Sequence, residues 1–595
     1  FGSMEKSEPL DFLIEELSSE NAQQCVTCIS RLRVIALALG QAKTRSDLIP
    51  YLTHEIEQDK FTDEVQVSIA EVLGSFVEFV GGVADAHCLF PPLVALCSVE
   101  ESTVRDQAVA SINQVGKQLS NAQVQGHLVP TVLKLARTSD WFTPRVSACG
   151  LFALAYKASV DGVNDTAQGK ELSETFCKSL GIDDSPMVRR AAAIRLSELA
   201  KELSAALIEE DLLPLHRTLL ADEQESVRVN ALRGCASVCS RISAPTQREL
   251  LEKDFKKCVQ DKSWRVRIAC AEVISDVAKV CSGSPECASS LQGLYESLQL
   301  DHEPEVRVAA ALKAAGVAES LGAEFSKDTI FPVVSGLARD PNAASRVELA
   351  TVLMNLAKPI GKEAALTLLL PVIPLLTEDE NTNVRLAVIN CFDSFIGVVG
   401  LSEEREQESL LRLIKSLASD KNWRVRHAIL LLLPVLAQEL GLDGFAKHLG
   451  QSLETHATDH YALIREDFVK RMAMVSYIPG FGASWLETNV VKILIARAKD
   501  KNYQMRSVLL LGVEHLHAAL SQEVMANDLI PLAVEMATDK VPNLRIQAVR
   551  SLAAAAPSMP EHLNNTVILP KLRDQTEDED MDVKFFAEEA LSALG

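Results

Sequence analysis

A seven-residue phrase recurs in this chain and limits what it can fold into. Asp261 to Arg267 reads DKSWRVR, Asp420 to Arg426 reads DKNWRVR, and Asp500 to Arg506 reads DKNYQMR. Relaxed to an aspartate, an aliphatic residue five positions on and then a cation, the phrase becomes a ladder. Its aliphatic rungs are Val188, Val227, Val266, Val306, Val384, Val425, Ile464, Met505, Leu544 and Val583, each followed by Arg except Val583, which precedes Lys584. Ser345-Arg346 fills the gap after Val306, and Val104-Arg105 extends the series backwards. Val65-Gln66 keeps only the aliphatic residue, and Arg145-Val146 reads as an inverted pair. Successive rungs lie 39 to 41 residues apart nearly everywhere. A fixed period in that range belongs to solenoids, where each copy of one small unit buries its apolar face against the next.

The residues after each rung predict a helix. Val425, Ile429, Leu432 and Leu436 fall at i, i+4, i+7 and i+11, as do Val266, Cys270, Val273 and Val277, and Val384, Val388, Cys391 and Phe395. That spacing is one apolar stripe on a helix of three turns or more, here called helix B. The Asp and small polar residues before it suit a turn and an N-cap. A second apolar helix, helix A, precedes each Asp. It carries a proline thirteen residues before the rung at Pro91, Pro214, Pro332, Pro371, Pro531 and Pro570, with Pro50 and Pro130 two residues further back. Proline removes a backbone donor, so a kink in helix A is expected at this position. The rungs from Val65 to Val583 count fourteen repeats, and a degenerate copy over residues 10–40, with Gln24 at the rung, makes about fifteen. Asp161–Lys170 reads as a loop insertion, Glu403-Glu404-Arg405-Glu406 as an exposed turn between repeats, and Glu577–Asp582 as a solvated turn within the last repeat.

Composition narrows the function. The net charge of −22 argues against general binding to nucleic acid, which needs a cationic footprint. No apolar run reaches the roughly 18 residues that suggest a membrane span. No secretory signal appears, and Phe1-Gly2-Ser3 ahead of Met4 reads as an expression scar. Thirteen cysteines show no framework spacing, and Cys25-x-x-Cys28 and Cys235-x-x-x-Cys239 lie in helical patterns, which fits reduced cysteines in the cytosol or nucleus. His515-x-His517 beside Glu514 has no third ligand in view, so no metal is expected. No nucleophile elbow, P-loop or HExxH occurs, and the chain reads as non-enzymatic and free of cofactors.

Pro in helix A, Asp eight residues on, then an aliphatic–Arg pair is the HEAT-repeat pattern. The individual spellings go further. IALALG at Ile35–Gly40, DWFTPR at Asp140–Arg145, SACGLF at Ser147–Phe152, DDSPMVRRAAA at Asp183–Ala193, ADEQESVR at Ala221–Arg228, DKSWRVR and DKNWRVR occur in one order. With them the whole length resembles the scaffolding (A) subunits of type-2A serine/threonine protein phosphatase. Cys25, Gln66, Ser345 and the 161–170 stretch depart from that pattern. The resemblance implies an all-α superhelix of about fifteen HEAT repeats, each an antiparallel helix pair, in one continuous solenoid. Residues 4–400 would form repeats one to ten, the regulatory-subunit half, and 401–595 repeats eleven to fifteen, the catalytic-subunit part.

Aromatic residues are only 5% of the chain, yet Trp141, Trp264, Trp423 and Tyr503 fall in turns within repeats. Turns are surface, and Trp, Tyr and Arg are frequent binding anchors. The competing reading is that each ring packs on the neighbouring turn. Carried over by position, the resemblance assigns Trp423, Arg424, Tyr461, Tyr503 and Gln504 to the phosphatase catalytic subunit. It assigns Glu100, Glu101, Trp141, Phe142, Pro186, Met187, Arg189, Arg190 and Trp264 to exchangeable regulatory (B-type) subunits. Trp485 has no such position and reads as packing. The Asp and Arg ladders, Asp301 with Arg307 and Asp420 with Arg426 among them, read as charges interleaved between stacked turns, with Arg189 reaching Asp222 or Asp140. The alternative function is an importin-β-type nuclear transport receptor, also acidic and built of HEAT repeats.

Fifteen helix pairs stacked at roughly 8–10 Å per layer predict a contour on the order of 120–150 Å. Small-angle scattering should return the pair-distance profile of an elongated particle, and a compact globule would overturn the solenoid.

Overall fold

Each aliphatic rung sits three residues past a helix N-cap, and there the helices begin. In a computed structural model describing residues 9–17, 19, 21–138, 141–160, 166–401 and 404–594, helix B starts at Pro186, Glu225, Trp264 and Pro304 in the first half of the chain and at Thr382, Trp423, Ala462, Tyr503, Pro542 and Met581 in the second. Val188, Val227, Val266, Val306, Val384, Val425, Ile464, Leu544 and Val583 are buried, whereas Met505 is only half-buried. Among the described residues the helices group into fifteen such pairs, in two compact units of Phe1–Leu321 and Gly322–Gly595. The first unit holds eight pairs and the second seven. All described elements are helical. Among them no single helix is long and apolar enough to cross a membrane.

Helix A departs from a simple kink. Among the described residues a wide π-helical turn precedes the proline in seven repeats: Thr44–Leu48, Val124–Leu128, Ile208–Leu212, Ser326–Ile330, Ala365–Leu369, Met525–Leu529 and Asn564–Ile568. The N–H of Leu213, for example, donates to the carbonyl of Ile208 rather than to the residue four back, and Pro214 follows. Widening the turn gives the ring room where its missing N–H has already cost a helical bond. The same turn forms at Leu250–Phe255 and Glu487–Val491, which contain and precede no proline. The widening therefore belongs to the repeat geometry, and proline is one residue that tolerates it. From helix B to the next helix A the chain turns through glycines such as Gly361 and Gly400, at φ 80° and 68°, a region that a side chain strains.

The structure corrects several local expectations. Pro144, not Val146, is the buried rung of repeat four, and Arg145 follows it in the ordinary order. At repeat one Gln24 is exposed and Cys25 is buried in its stead. Lys170 lies in helix A of repeat five (Ala167–Lys178), whose Thr166 hydroxyl caps the N–H of Gly169, and 161–165 lie outside the described residues. Glu404, Arg405 and Glu406 belong to the helix Glu404–Ala418, and Glu403 lies outside the described residues. Residues 1–3 and Asp140 also lie outside them. In the last turn Asp578 is not solvated but sits against Arg545.

A single pattern of hydrogen bonds ties turn to turn. The Asp261 carboxylate accepts the N–H of Ser263 at 2.8 Å, which shapes its own turn. It also accepts the Arg228 fork of the preceding repeat, Nε at 2.8 Å and Nη2 at 2.9 Å. The Asp261 carbonyl accepts Nη1 of Arg267 from its own helix B at 2.8 Å. In the first unit the inter-repeat pairs are Arg145–Asp183, Arg189–Asp222, Arg228–Asp261 and Arg267–Asp301. In the second they are Arg346–Asp379, Arg385–Asp420, Arg426–Asp459, Arg506–Asp539 and Arg545–Asp578. In these pairs the Arg reaches the next repeat's carboxylate, while the Asp six residues before it supplies a carbonyl, as Asp340 does for Arg346. Gln66, standing where an Arg would, keeps the carbonyl bond alone, donating from Nε2 to Phe61 at 3.0 Å.

These pairs are mostly buried and forked, unlike surface ion pairs. Removing one partner, as in Arg267→Ala, should cost about 2–3 kcal/mol, the range for hydrogen bonds to charged groups. The Arg346 fork, outweighing burial, holds the Asp379 carboxyl below its ordinary range. At Asp301, Asp459 and Asp578 burial pushes upward but the Arg fork and a backbone N–H prevail. Their stabilisation is present above the unfolded carboxylate value of about 4 and is lost as pH falls through the lower folded values. Thermal melts should show the midpoint dropping below about pH 4, and Asp301→Asn should shallow that drop.

Candidate functional site

The ladder consumes one side of each turn and leaves the other to solvent. Helix B turns about 100° per residue, so a side chain one or two positions from a buried Val–Arg pair points elsewhere. In the first unit Trp141, Met187 and Trp264 are 52%, 47% and 40% exposed. Pro186 and Arg190 are also exposed, and Phe142 is half-buried beside Trp141, with ring centroids 5.3 Å apart. Arg265 lies over the Trp264 ring at 4.9 Å.

Arg189 is committed internally. Its Nε and Nη2 reach Asp222 at 2.6 and 3.1 Å, and its Nη1 donates to the Asp183 carbonyl at 2.8 Å. Arg190, the next residue, is exposed and has no ion pair among the described residues. Of the two arginines assigned to a partner, Arg190 is the one left available.

Glu100, Glu101 and Trp141 come together along an open groove of about 1510 Å³ across repeats two to four. Glu101 is also a helix cap: its carboxylate accepts the N–H of Thr103 at 3.1 Å, and that bond, with the Thr103 hydroxyl, lowers its pKa. The groove contains a feature that sequence reasoning misses. His87 and His127 stack at 4.2 Å with rings 12° from parallel. Burial, and after it the charge of His87, depresses the pKa of His127. The available signal is their spacing, one repeat period apart.

In the second unit Trp423 is half-buried and stacks on Tyr461 of the following turn, centroids 5.2 Å apart and planes 21° apart. Arg424 lies over the Trp423 ring at 4.8 Å, and Arg426 approaches the Tyr461 ring at 5.8 Å. Both the binding and the packing readings of Trp423 therefore have a physical basis: one ring face serves the neighbouring turn, and the cluster still faces out through Tyr461, 46% exposed. Tyr503 and Gln504 are exposed one turn further on, at the start of the next helix B. Behind Trp423, His427 and Asp467 form a 2.6 Å pair that sequence reasoning also misses.

Other candidates resolve into packing. Trp485 is buried against Phe445 and Phe481, at 5.8 and 5.0 Å. His517 bonds the Ser558 hydroxyl at 2.8 Å, and the Glu514 carboxylate accepts Gln547, so that cluster faces the neighbouring repeat and is half-buried rather than a helix surface. Cys25, Cys28, Cys235 and Cys239 are buried. Among the described residues no group of three His, Cys, Asp or Glu side chains is arranged to hold a metal ion.

Comparison with known proteins agrees with this architecture. Residues 284–361 match the family described as PPP2R1A-like HEAT repeat, and residues 253–281 match HEAT repeat. The chain is 39% identical over 244 residues to the probable serine/threonine-protein phosphatase PP2A regulatory subunit of Caenorhabditis elegans, covering 41% of this chain and 40% of that protein. It is 40% identical over 207 residues to the protein phosphatase 2A scaffold subunit of Dictyostelium discoideum, covering 35% and 34%. The chain thus spans well under half the length of the curated relatives it matches. The crystal structure of Kap121p bound to RanGTP aligns with a TM-score of 0.59 at 12% identity, covering 92% of this chain and 57% of that one, a likeness of fold alone.

Trp423 and Tyr461 should be thermodynamically coupled. A double-mutant cycle to Ala, read by thermal or denaturant unfolding, should give about 0.5–1.5 kcal/mol, the worth of an aromatic pair. Additivity within about 0.3–0.5 kcal/mol would mean that the stack contributes nothing to the fold.

Proposed function

We propose that this chain, a HEAT-repeat relative of the regulatory and scaffold subunits of protein phosphatase 2A, is the non-catalytic scaffold of a heterotrimeric serine/threonine phosphatase in the cytosol or nucleus. The observation that carries the reading is the placement of solvent-facing aromatic and arginine residues. They sit on intra-repeat turns in two separate groups, one in each compact unit. Trp423, Arg424, Tyr461, Tyr503 and Gln504 form the docking edge for the catalytic subunit. Glu100, Glu101, Trp141, Phe142, Pro186, Met187, Arg190 and Trp264 form that for an exchangeable regulatory subunit, with Arg189 holding the turn beneath them. A scaffold of this kind acts by tethering: two partners on one chain meet at an effective concentration set by the span between them.

The groups are far apart in sequence and share no ladder pair, so their effects should separate. Trp264→Ala and Arg190→Ala should each weaken regulatory-subunit binding, by about 2 kcal/mol for the tryptophan if it is a desolvated anchor, and leave binding of the catalytic subunit unchanged. Trp423→Ala should do the reverse. Equal loss of both partners in any one variant, or capture of a Ran-type GTPase in place of a phosphatase, would overturn the assignment.

A further inference from the structure

One rung of the second unit is unfilled. Arg465 follows the buried Ile464, is itself only 3% exposed, and donates Nη1 to the Asp459 carbonyl at 2.6 Å as its counterparts do. Its fork, however, has no carboxylate within ion-pair distance among the described residues, and its buried Nε has no acceptor. The rungs on both sides each reach a carboxylate: Arg426 that of Asp459 through Nε and Nη2, and Arg506 that of Asp539 through Nη2 alone. The acid that should serve Arg465 is Asp500, and it is engaged elsewhere. Its carboxylate accepts the N–H of Asn502 at 2.9 Å and faces Arg497 at 3.8 Å, while Arg497 is also held by Glu454. The Asp459 carboxylate is taken by Arg426 and by the N–H of Tyr461.

The open rung lies between the turns that carry Tyr461 and Tyr503, the two exposed aromatics of the catalytic-subunit edge. A buried guanidinium without a counter-charge is costly to the free protein. Burial, set against the attraction of Asp459, also lowers the pKa of Arg465, in contrast to its bridged counterparts. A carboxylate arriving from outside would meet a donor fork that is already desolvated and oriented, which is where a charge-assisted, bidentate contact is strongest.

We infer that Arg465 is a partner-recognition residue: the vacant rung between Tyr461 and Tyr503 accepts an aspartate or glutamate side chain of the protein docked on this edge, completing the ladder in trans. The inference rests on the function proposed above and adds the chemistry that the catalytic subunit must present there.

The test is a double-mutant cycle with the full chain and the type-2A catalytic subunit. Arg465→Gln should weaken binding about 10–100-fold. Among variants of the catalytic subunit in which single surface acids of the docking face are made amides, one should weaken wild-type binding similarly and cost nothing further against Arg465→Gln. If Arg465→Gln fails to fold, Arg465→Lys, which keeps the charge but loses the fork, should show the same coupling with a smaller loss. Wild-type affinity in Arg465→Gln, with Trp423→Ala still impaired, would overturn the vacant-rung inference and leave the scaffold reading standing. A loss coupled to no partner acid would overturn it too, since Arg465 would then act only on its own turn. Failure of the wild-type chain to bind the catalytic subunit would bring down both.

Discussion

The fold depends on one doubly used residue. Ladder aspartates such as Asp261 lend the carbonyl to the arginine of their own helix B and the carboxylate to the arginine of the repeat before, Arg267 and Arg228 in this case. The first bond closes the turn within a repeat and the second fixes the step to its neighbour. Because both meet in one side chain, the shape of the turn and the angle between repeats are not independent. Burial of Val227, Val266 and their equivalents between stacked helices supplies the drive, but burial has no direction. The forked pair has direction, and it sets the register in which the stripes meet.

The same bonding explains why the surface chemistry gathers at the turns. A turn has to satisfy its backbone groups, and here the aspartate and arginine do so from the inside. The outward positions of the turn carry no structural duty, and tryptophan, tyrosine and arginine occupy them without loss. Trp423 stands between the two conditions. The ring stacks on Tyr461 and Arg424 lies over it, so a change there touches both the step between repeats and the exposed surface of the turn.

Sequence discloses whatever follows strictly from period and stripe. Val188, Val227 and Val266 are buried because a 39-residue period and helical spacing leave them nowhere else to go. What it conceals follows from choices that several sequences make alike. Pro144 escapes notice as a rung because proline is not usually counted as aliphatic, although it fills the same space and Arg145 behaves normally. The π turns cannot be read from proline, since Leu250–Phe255 adopts one without it. Glu404 to Glu406 resemble a loop by charge alone, yet the start of a helix welcomes acid. The open rung at Arg465 is the least legible of all. Arg385 and Arg465 each precede an aspartate by 35 residues, Asp420 and Asp500, and only the first pair closes. In the second case Asp500 faces Arg497 instead, an arrangement seen only in three dimensions.

This division has a consequence for how such a chain changes. Substituting a ladder residue alters two turns at once, so its first effect is on stability. Substituting a residue just outside the ladder, as Arg190 is beside Arg189, leaves the ladder bonds in place and alters what is presented. Binding specificity is therefore free to drift at positions one or two residues from those that hold the fold. At a rung left open, as at Arg465, the two roles would coincide, since a position built for the fold would also be the one a partner completes.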